Sequence, residues 1–155
     1  VVVNNKNSSE VWSGFRVARR AYPIGLEINS NQNKDMIEVQ CAHNGYSTLF
    51  CNTIHKRIWR FTTFGFEVID LLKGKHAEAT ALFHFHPDIR VEMNDDQSTG
   101  SATLPSGKVL DWKILKGRGR LETFSWHPEF GVSIKSVYLT VTMFDGHCHL
   151  SINWN

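Results

Sequence analysis

The sequence predicts an all-β fold, a single antiparallel β-sandwich with large curved sheets spanning residues 1–155. Three observations carry this. Apolar and polar residues alternate with period two over several stretches, the signature of half-buried strands. Such stretches recur roughly every 8 to 15 residues, with Gly, Asn, Pro and Ser between them. No stretch keeps the 3.6-residue apolar period of an amphipathic helix.

Taken in order, the chain opens on "VVV", which reads as a strand. "TIHKRIWRFTT" puts His55, Arg57, Trp59 and Phe61 on one side. "GFEVIDLL" follows after Phe64-Gly65, a hairpin spacing, and "AEATALFHFHP" is the next strand, closed by Pro87. "KVLDWKIL" and "RLETFSW" are predicted to pair around Gly117-Arg118-Gly119. In "SIKSVYLTVTMF", Val137, Leu139, Val141 and Met143 face one way and Tyr138, Thr140 and Thr142 the other. "HLSINW" alternates as well. It follows Asp145-Gly146, a hairpin turn signal, so it is expected to lie beside "VYLTVTMF". Residues 29–35 and 94–101 read as polar loops. The sequence contains no internal repeat and no low-complexity tract.

A length of 155 residues suits one domain with its own core. The apolar fraction of 41% and charged fraction of 21% are ordinary for a globular chain, while 12% aromatic residues is high. A net charge of +2 makes no case for nucleic acid. Two local clusters, Lys56, Arg57 and Arg60, then Lys116, Arg118 and Arg120, suit either an anionic polymer or a solvated strand face. No apolar run reaches the ~18 residues of a membrane span. The three cysteines, Cys41, Cys51 and Cys148, leave at least one thiol outside any internal pair, and a Cys41–Cys51 bridge would require adjacent strands. The chain does not begin with Met, which is the expectation for a piece of a longer protein.

Two H-x-H pairs draw attention, His84 with His86 in "FHFHPDI" and His147 with His149 in "HCH". On a strand, each pair places both imidazoles on one face, one way to begin a zinc site. For His84 and His86, a third or fourth ligand would have to come from His147, His149, His55 or Asp70 on a neighbouring strand. The other reading is a pair of hydrogen-bonded strand histidines. In "AHNGY", Asn44-Gly45 is a strong turn dipeptide that would present His43 and Tyr46 at a loop tip. A Tyr and a His there suit acid–base chemistry, and an ordinary hairpin is the alternative. The residues spell no nucleophile elbow, phosphate-binding glycine loop or H-E-x-x-H.

Six stretches in order, "EVWSGFRVARRA", "AHNGYSTL", "IHKRIWRF", "ALFHFHPDIRVE", "LPSGKVLDWKI" and "WHPEFG", resemble the C-terminal β-sandwich of heparinase II/III-like polysaccharide lyases. That family joins an N-terminal α/α toroid to an antiparallel β domain. It cleaves uronate-containing polysaccharides, such as heparan sulfate or alginate, by β-elimination. The resemblance implies that the toroid, with its Asn, His and Tyr, lies outside this sequence. The family's Gly/His-rich and His-Asn-Thr motifs are missing too, so the 155 residues alone are not expected to cleave. It further implies a substrate contact or proton-donating role for Tyr46 and a neighbouring role for His43, although Asn44 stands where the family commonly has Asp. His55, at a His-x-Arg position, and Arg57 are implied to line the substrate cleft. In some relatives a β-domain His helps hold a structural divalent metal, zinc or calcium, which makes His55 the candidate ligand here. The implied partners are an anionic uronan and the toroid, in a bacterial parent that is periplasmic or extracellular. Two other functions fit the same residues: a stand-alone carbohydrate-binding module, and a structural module of a cell-surface or capsule-related protein.

Overall fold

The computed structural model describes residues 1–12, 16–31, 35–49 and 52–154. Among the described residues every regular element is a strand: β1 (Val2–Val3), β2 (Pro23–Asn31), β3 (Met36–Tyr46), β4 (Thr53–Thr62), β5 (Gly65–Lys73), β6 (Ala79–His84), β7 (Arg90–Met93), β8 (Thr99–Thr103), β9 (Val109–Lys116), β10 (Arg118–Trp126), β11 (Ile134–Thr142) and β12 (His147–Trp154). They form a 4-stranded sheet in the order β1-β6-β11-β10 and an 8-stranded sheet in the order β2-β3-β4-β5-β12-β9-β8-β7. The pairings are antiparallel throughout. No helix among the described residues is long and apolar enough to cross a membrane.

Alternation decides which residues meet between the sheets. On β11, Leu139 and Val141 are fully buried; on β12, Leu150 is. They join Ala81, Trp112, Ile114, Met143 and Cys148 in one core. Each large apolar side chain buried this completely contributes about 1.5–3 kcal/mol.

Three expectations give way to long-range pairing. "KVLDWKIL" and "RLETFSW" do not pair with each other: β9 lies in the large sheet and β10 in the small one. Gly117, at φ 118°, is where the chain crosses between sheets rather than the centre of a hairpin. Likewise β12 does not lie beside β11; its neighbours are β5 and β9. The turn at Asp145-Gly146 is present, with both φ values positive, but its flanks diverge into different sheets. The polar loops also shrink, because β2 runs to Asn31 and β8 starts at Thr99. The Cys41–Cys51 expectation lies outside the described residues, since Cys51 is not among them; Cys41 and Cys148 carry free thiols.

Candidate functional site

Strands β3, β4 and β5 lie side by side, and their register builds a polar row inside the sandwich. His43 is paired across the ladder with His55, and Arg57 with Asp70. Period two puts His55 and Arg57 on the same face. Asp70 is fully buried and His55 nearly so.

A carboxylate with no solvent must be compensated in place. Arg57 does this with a two-pronged contact, Nε to Oδ1 at 2.7 Å and Nη2 to Oδ2 at 2.9 Å. His55 Nε2 lies 2.7 Å from Oδ1, and His55 Nδ1 lies 2.9 Å from His43 Nε2. The Gly45 N–H donates to His43 Nδ1 at 3.2 Å.

One set of protons satisfies all of these. The ionised carboxylate only accepts, so His55 carries its proton on Nε2 and accepts at Nδ1. His43 therefore carries its proton on Nε2 and accepts the Gly45 amide at Nδ1. The tautomers follow from the network. Burial pushes the Asp70 carboxyl up, but hydrogen bonds from His55 and Arg57 outweigh it and hold the group below the usual carboxylate range. Burial, then the nearby positive charges, drives His43 down to about 4.

The row also ties the layers together. The Arg57 guanidinium carbon lies 6.0 Å from the Trp59 ring centre and 5.6 Å from that of Phe83, which belongs to the facing sheet.

"AHNGY" is not a hairpin tip. Residues 42–46 close β3, with a register shift between His43 and Tyr46. The turn lies beyond them, where Ser47 N–H donates to the Asn44 carbonyl and Leu49 N–H to that of Tyr46. The local turn preference loses to packing by the segment that precedes β2. Asn44 exchanges backbone and side-chain hydrogen bonds with the Tyr22 backbone. Arg19 donates to the carbonyls of Asn7, Ser8 and Gly45. Tyr46, expected at an accessible tip, is fully buried, and its hydroxyl donates to the Val1 carbonyl at 2.6 Å. Burial pushes its phenol up to about 12.

The histidine pairs do not converge. His84 stands on β6 in the small sheet, whereas His147 and His149 stand on β12 in the large one. His147 and His149 stack at 6.5 Å, with His149 Nε2 3.2 Å from the Glu67 carboxylate. His86 accepts the Asp88 amide at 3.3 Å. Among the described residues, no group of three or more His, Cys, Asp or Glu side chains is placed to hold a metal ion. Both nitrogens of His55 are already engaged, so the donor set does not fit the zinc or calcium that the resemblance implies.

The residue the sequence reading undervalued is Asp70, the hub of the row. Its signal was legible: "VIDLL" sets one carboxylate at the inward period of an apolar strand, between Val68 and Leu72. Such a group needs a cationic partner on the next strand.

Comparison with known proteins bears on the same fold. A protein-family model described as "Heparinase II/III-like, C-terminal" matches residues 1–155. No curated protein sequence matches the chain. Among solved structures, the heparan sulfate lyase HepC from Pedobacter heparinus superposes with a TM-score of 0.67 at 14% identity. It covers 86% of this chain and 21% of its own. A heparinase III described as the BT4657 gene product superposes with a TM-score of 0.62 at 11% identity, again over 86% of this chain and 21% of its own. At these identities the likeness shows the fold, and the chain spans about a fifth of the length of these structures.

Proposed function

The chain belongs to the heparinase II/III-like C-terminal family, and from that premise we propose that it is the non-autonomous β-sandwich domain of a polysaccharide lyase acting on uronate-containing polysaccharide. The observation that carries the reading is the family match over the whole chain, joined to a sandwich shared with heparan sulfate lyases.

In the proposed reaction a base removes the C5 proton of the uronate. The C4–O bond breaks, a C4–C5 double bond forms, and an acid protonates the leaving oxygen. The base and acid are assigned to the α/α toroid, the partner domain that the family resemblance implies. This chain's part is to support that toroid and line the cleft. The large sheet extends past the small one, and on the same face as Asp70 it leaves Ile28, Ile37 and Phe61 exposed, which supports a covering domain there. His43, His55, Arg57 and Tyr46 serve as positioning residues, because their polar atoms hold one another, Asp70 and the backbone. Arg57, about a quarter exposed at its side chain, is the member of the row proposed to reach the cleft wall.

The test is to incubate the longer natural protein containing these residues with heparan sulfate, alginate and other uronans, and to follow the ultraviolet absorbance of unsaturated product. Product from one of them is expected. Binding without product from any of them would favour a carbohydrate-binding module instead.

A further inference from the structure

The outer face of the small sheet takes no part in the buried row. Register with β11 sets Arg118 beside Thr142, Arg120 beside Thr140, Glu122 beside Tyr138 and Trp126 beside Ile134. β6 brings His84 beside Tyr138 from the other side. The even-numbered side chains of β10 share one face, opposite buried Gly119 and core-packed Leu121. At ~3.4 Å per residue, the strip from Arg118 to Trp126 is about 27 Å long.

Its two ends differ in chemistry. One end is a recess of about 510 Å³ lined by Arg118, Arg120, Thr140 and Thr142 together with Met93 and Gln97. The other end is a group of rings. His84 lies 4.7 Å from Phe124 and 5.2 Å from Tyr138, and His86 lies 4.8 Å from Trp126. Between the ends, Glu122 accepts from the Tyr138 hydroxyl at 2.9 Å, the Thr140 hydroxyl at 3.0 Å and Arg120 Nη2 at 2.6 Å.

We propose that this strip is a binding track for an acidic polysaccharide, its rings against the apolar faces of the sugars and its arginine recess on a carboxylate or sulfate. Aromatic faces offer area to a pyranose at low entropic cost, and guanidinium forks match planar carboxylates and sulfates. A single-stranded nucleic acid also uses rings and cations. The ligand class rests on the proposed uronan substrate.

The experiment is affinity electrophoresis of the chain through gels containing heparan sulfate, alginate, neutral dextran or oligothymidylate. It is paired with NMR shift mapping of the unaltered chain against a heparan sulfate oligosaccharide. Retardation by an acidic glycan and not by dextran is expected, with shifts confined to β6, β10 and β11. Arg118→Ala/Arg120→Ala and Phe124→Ala/Trp126→Ala should each weaken retardation at least tenfold, while Lys113→Ala on the large sheet leaves it unchanged. Absence of retardation, shifts mapping elsewhere, or stronger retention by oligothymidylate overturns the proposal. If a double variant fails to fold, the shift map of the unaltered chain still decides. Loss of binding with intact cleavage by the longer protein would sink this inference alone; binding without cleavage would sink the lyase reading alone.

Discussion

Replacing Asp70 by Ala removes the acceptor around which His55 and Arg57 are arranged. His55 is nearly buried and the Arg57 side chain is only 24% exposed, so neither donor regains full hydration. Removing one partner of a buried ion pair costs about 3–5 kcal/mol. In a domain of this size each kcal/mol lowers Tm by about 2–4 °C, which gives a drop of roughly 6–20 °C. Asp70→Asn should fall between, since it keeps one acceptor but turns an amide N–H₂ toward a donor. Urea unfolding followed by the fluorescence of the five tryptophans reads both, with the slope unchanged. The double variant Arg57→Met/Asp70→Leu, which leaves no orphaned charge, should lose less than Asp70→Ala alone. A loss below about 1 kcal/mol in Asp70→Ala, or an Asn variant as stable as the parent, would refute the account of the row as a closed, mutually dependent network.

Other predictions follow from single groups. His43 is held near 4 in the folded chain against about 6.5 unfolded, so the unfolded state takes the proton first. The stability it supports is present above pH ~6.5 and drains away as pH falls toward 4, on the order of 1 kcal/mol for a half-buried, partly screened ring. His43→Gln should flatten that part of the stability–pH curve, and an unchanged slope would count against the assignment. Asp70 adds loss at lower pH, because its folded value is depressed; that contribution is complete above ~3.9 and disappears as pH falls through the folded value. Gly100→Ala would press a methyl onto the Glu92 carbonyl and the buried Trp112 indole, costing about 1–3 kcal/mol in urea unfolding; an Ala variant of equal stability would refute the packing there. Cys148 is fully buried, and burial pushes its thiol up to about 12, about a thousandfold less thiolate than an ordinary thiol. Maleimide mapping of the folded chain should therefore label Cys41 before Cys148, and equal rates for these two would contradict the burial.

Period-two alternation was enough to read the inner faces of β4, β11 and β12, because each is half buried and every second residue reports its side. It did not reveal partners. Gly117 looks the same in sequence whether it turns a hairpin or carries the chain between sheets; the choice rests on which strands Val141 and Leu150 pack beside. Residues 23–31 escaped notice because β2 is an edge strand with exposed Leu26 and Ile28 and a register shift between Ile24 and Glu27, which breaks the alternation. Asn44-Gly45 misled for the opposite reason: a strong local turn signal was overridden by Arg19 and Tyr22, both more than twenty residues away. The candidate row shows the same division. His55 and Arg57 were placed on one face from spacing alone, but the tautomers and the burial of Tyr46 depend on Asp70, Gly45 and Val1, which only the folded register brings near.

The most direct test of the lyase assignment is the composition of the product. If the longer natural protein is supplied with a uronan in water enriched in heavy oxygen, elimination transfers no solvent oxygen to the new chain ends. Mass spectrometry should then show unsaturated oligosaccharides, one water lighter than hydrolysis products and free of the label, with no product from the 155-residue chain alone. Labelled saturated ends, or cleavage by the chain alone, would contradict the account.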